Sequence, residues 1–170
     1  MTNKTHVINE HIPYYKPNGY KIYLNVETND YPLHWHTDIE IIMPLTNEYI
    51  VILENTQYLL HPKDIMIIPS GRLHALSCST EGKRFILQVT QSILHEINGF
   101  ESIHNKLFPC AIFPSNGASP EYLKLYNLLS RILEEYEAAS PLYEASIHAL
   151  ILSFLVQAGR IRLQQADNYS

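Results

Sequence analysis

Cysteine is scarce in this chain. The 170 residues hold two, Cys78 and Cys110, which form no metal-type pair in sequence and give no disulfide framework. Each reads as small apolar filler inside the fold. Positive charge is also thin. Twelve Lys and Arg stand against seventeen Asp and Glu, for a net charge of -5, and the cations are scattered without a basic stripe. Electrostatic capture of nucleic acid by this chain is therefore not expected. The opening residues Met1-Thr2-Asn3-Lys4-Thr5-His6 have no apolar core of the kind a signal peptide needs. The longest apolar run, near residues 149–156, is too short and too interrupted to cross a bilayer. No internal repeat and no low-complexity tract is found. Together these absences predict a cytoplasmic protein with no membrane partner.

What is present suits a folded domain. Hydrophobic residues make up 46% and charged residues 17%, and the length fits one domain with a substantial core. Residues 1–13 are polar and read as an N-terminal arm. Tyr14-Tyr15 and residues 20–26 read as strands around a Pro17-Asn18-Gly19 turn. One strand is expected from Leu33 through Ile42, a hairpin around Asn55-Thr56, and strands at 64–68, 74–78, 84–89 and 110–113. Residues 92–98 read as a short helix. Many short strands at close spacing indicate an antiparallel sandwich or barrel.

After residue 119 the pattern changes. Ser119-Pro120-Glu121 is a helix start: a Ser cap, Pro in the first turn, then an acid near the positive end of the dipole. Tyr122, Leu125, Tyr126, Leu129, Ile132, Leu133 and Tyr136 then recur at helical spacing. Ala138-Ala139-Ser140-Pro141 breaks the pattern, and a second helix is expected from about Leu142 to about Arg160. That helix is apolar nearly all round, so more than one of its faces must be covered. Leu142, Ala145, Ala149, Leu152 and Val156 form one stripe, expected to pack inward. Ile147, Leu150, Ile151, Phe154 and Leu155 cover most of the remainder and are expected to meet a second copy of the chain in a two-fold homodimer.

The residues that carry chemistry lie in the strand region. His34-Trp35-His36-Thr37-Asp38-Ile39-Glu40 places His34, His36 and Glu40 on one face of a strand. Pro69-Ser70-Gly71-Arg72-Leu73-His74 is a turn that ends just before His74. If the two segments face each other, three imidazoles and a carboxylate meet. That set suits a divalent transition metal such as Zn, Ni, Mn or Fe. It suits equally the polar lining of a ligand cavity. His61, His95, His104 and His148 stand outside these motifs and read as solvated or hydrogen-bonded side chains.

The two segments resemble the paired motifs of the cupin family. The first has His-x-His, a short spacer and Glu; the second has Pro-x-Gly-x-x-His. Two of the family's glycines are replaced here: Pro62-Lys63-Asp64 stands for Pro-Gly-Asp, and Thr46-Asn47-Glu48 stands where the first motif commonly ends on Gly. Asn47 can serve such a turn. The resemblance implies a mainly β, double-stranded β-helix (jelly-roll barrel) over residues 14–114, followed by an antiparallel helix pair over 119–165.

A cupin barrel followed by two helices, with Glu134-Glu135-Tyr136 near the end of the first, resembles the N-terminal half of AraC-type bacterial transcription regulators. That resemblance implies a barrel that binds a small effector, a sugar or small acid, and helices that make the dimer. It implies DNA binding only through a separate C-terminal helix-turn-helix domain, which does not occur before Ser170. Gln164-Gln165-Ala166-Asp167 reads as the start of a linker to it, so a piece of a longer regulator is preferred over a natural single domain. A regulator is expected to have no catalytic residues. The alternative is a small metal-dependent cupin enzyme, a dioxygenase or isomerase, using His34, His36, Glu40 and His74.

Overall fold

The computed structural model describes residues 8–9, 18–26, 30–77, 81–104, 107 and 110–167. Cys78, the expected strand at Tyr14-Tyr15, and most of the expected N-terminal arm lie outside the described residues. Two five-stranded sheets face each other. The first contains β1 (Ile8–Asn9), β3 (Tyr31–Trp35), β8 (His74–Ser77), β5 (Tyr49–Leu53) and β6 (Thr56–Leu60), in that order. The second contains β10 (Ala111–Phe113), β7 (Ile65–Ile68), β4 (Ile39–Pro44), β9 (Arg84–Val89) and β2 (Tyr20–Asn25). All pairings are antiparallel except β1 with β3. Ile8–Asn9, expected within a frayed arm, thus extends the first sheet.

The second sheet is covered on both faces, and its strands show it. β4, β7 and β9 are buried at every position, because alternate side chains enter two different cores. Ile39, Ile41, Met43, Phe85, Leu87 and Val89 join the helices in one cluster. Ile42, Met66, Ile68 and Ile86 join Tyr49, Val51, Leu53 and Leu76 of the first sheet in the other, inside the barrel.

The helices are α1 (Gln91–Leu94), α2 (Phe100–His104), α3 (Pro120–Ala138) and α4 (Tyr143–Asp167). α2 has no clear apolar period in the sequence. Ser119 caps α3 as its sequence predicts, its Oγ accepting from the Tyr122 N–H at 3.1 Å. Ala139 ends the helix in the left-handed region, φ 46°. α4 continues past Arg160 to Asp167, so Gln164-Gln165-Ala166-Asp167 is helix and not linker.

The orientation of α4 overturns the expected dimer face. Ile147, Leu150, Ile151, Phe154 and Leu155 are all buried within the single chain, packed with α3 and the second sheet. They have no surface left to offer a partner. The stripe expected to pack inward faces out instead: Leu142 is 83% exposed, Ala145 and Ala149 are exposed, and Leu152 and Val156 are half-buried. The physical reason is size. The larger side chains remove more apolar surface from water against the sheet, while two of the five residues in the other stripe are alanines. By length and composition alone α4 could cross a membrane, but its large apolar residues make the core of the fold.

Candidate functional site

The expected single strand from Leu33 to Ile42 is in fact two. The chain leaves β3 at Trp35, turns through residues 36–38, and enters β4 at Ile39 in the opposite sheet. His34 therefore projects from one wall of the barrel and Glu40 from the other. The ligand set still converges because the two sheets face each other across the core.

The closing segment is held by two backbone features. Gly71 adopts φ 75°, which a side chain would resist. Its N–H donates to the His36 carbonyl at 2.8 Å, tying the Pro-Ser-Gly turn to the first motif. The chain then enters β8, where His74 is the register partner of His34. The two replaced glycines keep the backbone that glycine would have given. Lys63 has φ 70° and Asn47 φ 58°. Lys63 is pinned there by its N–H to the Pro44 carbonyl (2.7 Å) and by its own carbonyl, which accepts from the Tyr122 hydroxyl (3.0 Å). Asp64 locks the same turn, accepting from the His61 and Ser115 N–H groups.

His34, His36, Glu40 and His74 are 5, 4, 1 and 0% exposed. One nitrogen from each histidine lies within 4.8 Å of the others. Each ring is oriented the same way: Nδ1–H donates to a backbone carbonyl, that of Pro32 for His34 (2.8 Å), Asp38 for His36 (3.2 Å) and Arg72 for His74 (2.8 Å). This fixes the tautomer and leaves Nε2 as the atom each ring would offer a metal, the orientation by a backbone partner that metal-binding histidines use.

Glu40 completes the cluster. Its Oε2 is 3.1 Å from His36 Nε2 and accepts from Gln88 Nε2 at 2.9 Å. Its Oε1 lies 3.6 Å from His74 Nε2 and accepts no hydrogen bond. Burial pushes this carboxyl up, but its contact with His36 and the close approach and charge of His74 and His36 outweigh it. The group is held well below the usual carboxylate range. The donor set fits a divalent metal. With Nδ1 protonated, His36 Nε2 turns a lone pair towards a carboxylate oxygen, and only a proton or a metal cation reconciles the two. The buried Oε1 without a donor points the same way.

Gln88 was not singled out in the sequence. It is Glu40's register partner on β9, 4% exposed, and its Oε1 accepts from the Tyr23 hydroxyl at 3.4 Å. Its one signal is a polar residue inside the apolar run Phe85-Ile86-Leu87-Gln88-Val89. Beside the cluster lies a cavity of about 210 Å³ within the barrel, whose lining includes His34, Glu40, Gln88 and Tyr23. A larger open groove lies along α1 and α2, and its lining does not include the three histidines.

No protein-family model and no curated protein matches the chain. Solved structures do. A cupin-2 domain protein from Shewanella frigidimarina aligns over 44% of this chain and 74% of that one, with TM-score 0.40 and 20% identity. Apo ToxT from Vibrio cholerae aligns over 84% of this chain and 56% of its own, with TM-score 0.55 and 12% identity. Wild-type ToxT bound to an unsaturated fatty acid gives 0.53 and 13% over the same share of this chain, and 55% of that one. The chain thus spans just over half the length of ToxT. At these identities the likeness is one of fold, and it agrees with the motifs: barrel and following helices together take the form found in ToxT, a regulator of the AraC family.

Proposed function

We propose that this chain is the effector-binding half of an AraC-type transcription regulator, with a divalent transition metal at the floor of its barrel cavity. The observation that carries the reading is the buried cluster of His34, His36, His74 and Glu40 opening onto a cavity inside the barrel. Such a polar group is costly to bury unless it meets a ligand or ion. The three Nε2 atoms would hold the metal with Glu40 beside them, and Gln88 would keep the carboxylate in place. When bound, the metal would offer a Lewis-acid position to an oxygen of the effector.

The fold likeness to ToxT supports a regulator, since it covers the helices as well as the barrel. ToxT has been solved with an unsaturated fatty acid and with a naphthalenyl-butenoic acid, which supports a small-molecule effector here. In this reading, α3 and α4 carry the effector signal from the second sheet to a dimer and to DNA-binding domains outside this sequence. The outward stripe Leu142, Ala145, Ala149, Leu152 and Val156 is the face for the second copy.

A second reading, a metal-dependent dioxygenase or isomerase, is favoured by the same four residues. One experiment separates them. The chain is loaded with Zn, Ni, Mn or Fe and offered a metabolite panel, with melting point and product formation followed together. Stabilisation by an unaltered metabolite supports the effector reading; turnover with any metal overturns it.

A further inference from the structure

We propose that the barrel cavity receives a short organic acid, with Lys21 taking its carboxylate. The inference deepens the effector reading and rests on it.

The argument starts from the alternation of β2. Tyr20 and Ile22 face the helices. Lys21, Tyr23 and Asn25 face the opposite way and line the cavity. Lys21, Asn25 and Tyr31 form its partly exposed rim, while His34, Glu40 and Gln88 form its buried floor.

Most polar groups of this lining are already engaged with one another. The Glu40 carboxylate accepts from Gln88 and faces His36. The Gln88 carbonyl accepts from Tyr23. The Asn25 amide donates to the Tyr31 hydroxyl at 3.5 Å. Lys21 is different. Its Nζ lies 4.3 Å above the centre of the Tyr23 ring, and it has no carboxylate within ion-pair distance among the described residues. Among the described residues the cavity therefore presents one lysine at its rim, and its one lining carboxylate lies at the buried floor, bonded to Gln88 through Oε2.

That balance selects an anion over a neutral polyol. A sugar needs acceptors for its hydroxyl protons, and the strongest acceptor here, the Glu40 carboxylate, lies at the buried floor with Oε2 bonded to Gln88 and Oε1 turned to His74. A carboxylate needs a cation and donors, which Lys21 and the rim hydroxyl of Tyr31 supply. A metal on the histidines would add positive charge and strengthen the same preference. Size narrows the class further. About 210 Å³ is below the roughly 300–1,000 Å³ of sites for drug-sized ligands. It equals the liquid volume of about seven waters at ~30 Å³ each. That space suits a compact acid of a few carbons better than a long acyl chain.

The test is a thermal-shift series at millimolar ligand, with zinc-loaded and metal-free protein. The probes are three- to six-carbon mono- and dicarboxylic acids such as lactate, malate and 2-oxoglutarate. Arabinose and glycerol serve as neutral counterparts, and palmitoleate as a long-chain one. At a hundredfold excess over Kd, a bound acid should raise the melting point by roughly 5–10 °C. Lys21→Met should weaken that acid about tenfold or more, and Lys21→Arg should keep most of its affinity. Lys21 is partly exposed, so the unliganded variants are expected to melt with the wild type. Acid binding unchanged in Lys21→Met, or tighter binding of a polyol or of palmitoleate, overturns the inference while leaving the effector reading intact. If neither acid, polyol nor fatty acid shifts any form of the protein, both fall together.

Discussion

His34 and His74 stand opposite one another on the antiparallel strands β3 and β8, register partners whose ring centroids are 4.2 Å apart. One belongs to the first histidine motif and the other to the turn motif, and a strand pairing makes them a unit. His36 reaches the same point from the crossing between sheets, its ring 5.8 Å from His34 and 5.1 Å from His74. Three imidazoles fixed by backbone carbonyls, facing a buried carboxylate, form a preorganised polar cluster.

The polar floor depends on Gln88. Gln88→Leu removes the donor to Glu40 Oε2 and leaves a buried carboxylate short of one partner. The expected loss is about 1–3 kcal/mol, read as a lower urea midpoint with an unchanged slope. A stability equal to wild type would show that the Gln88–Glu40 bond contributes little.

Lys63 occupies a left-handed conformation that costs a non-glycine residue roughly 1–2 kcal/mol. Lys63→Gly should therefore stabilise the protein by about 1 kcal/mol, since the turn is already held by Asp64 and Tyr122. Asn47→Gly should gain less, because Asn tolerates this region better. Destabilisation by Lys63→Gly would mean that the side chain supplies a contact worth more than the backbone strain.

Glu40 makes stability depend on acid pH. Its folded-state pKa is depressed, so its contribution is complete above the ordinary glutamate range and is lost as pH falls through the depressed value. In Glu40→Gln this loss is absent. The difference in stability between wild type and Glu40→Gln should shrink as pH drops from 6 towards 3 in metal-free protein. A difference that stays constant over that range would contradict the ionised, hydrogen-bonded state of Glu40.

The two faces of α4 should respond oppositely to charge. Phe154 is fully buried, so Phe154→Glu should unfold the chain, at a cost of several kcal/mol. Leu152 lies on the outward stripe, so Leu152→Glu should leave the circular dichroism unchanged and shift sedimentation from dimer to monomer. A wild-type monomer at micromolar concentration would remove the dimer from this account.

Much of this was legible in the sequence because the signals were local. Period-two strands, the Ser119-Pro120 helix start and the two histidine motifs each depend on near neighbours. The break between β3 and β4 was not legible, because alternation along residues 33–42 is the same whether or not the chain changes sheets. Gln88 was missed because its role exists only across a strand pair. The stripes of α4 were inverted because periodicity finds two faces without saying which one meets the sheet. Side-chain volume decides that. Lys63 and Asn47 show the converse: the residue types changed where glycine is usual, and the backbone conformation stayed.

The most direct measurement is a calorimetric titration of chelator-treated protein with Zn²⁺, repeated with Ni²⁺, Mn²⁺ and Fe²⁺ under reducing conditions. The account predicts one metal per chain, a raised melting point on binding, and loss of both in the His34→Ala, His36→Ala double variant. It predicts weakened but measurable binding in Gln88→Leu, which disturbs only the orientation of Glu40. If none of the four metals binds the wild-type chain, or if binding survives the double variant unchanged, the buried histidine cluster is not a metal centre and the central claim is wrong.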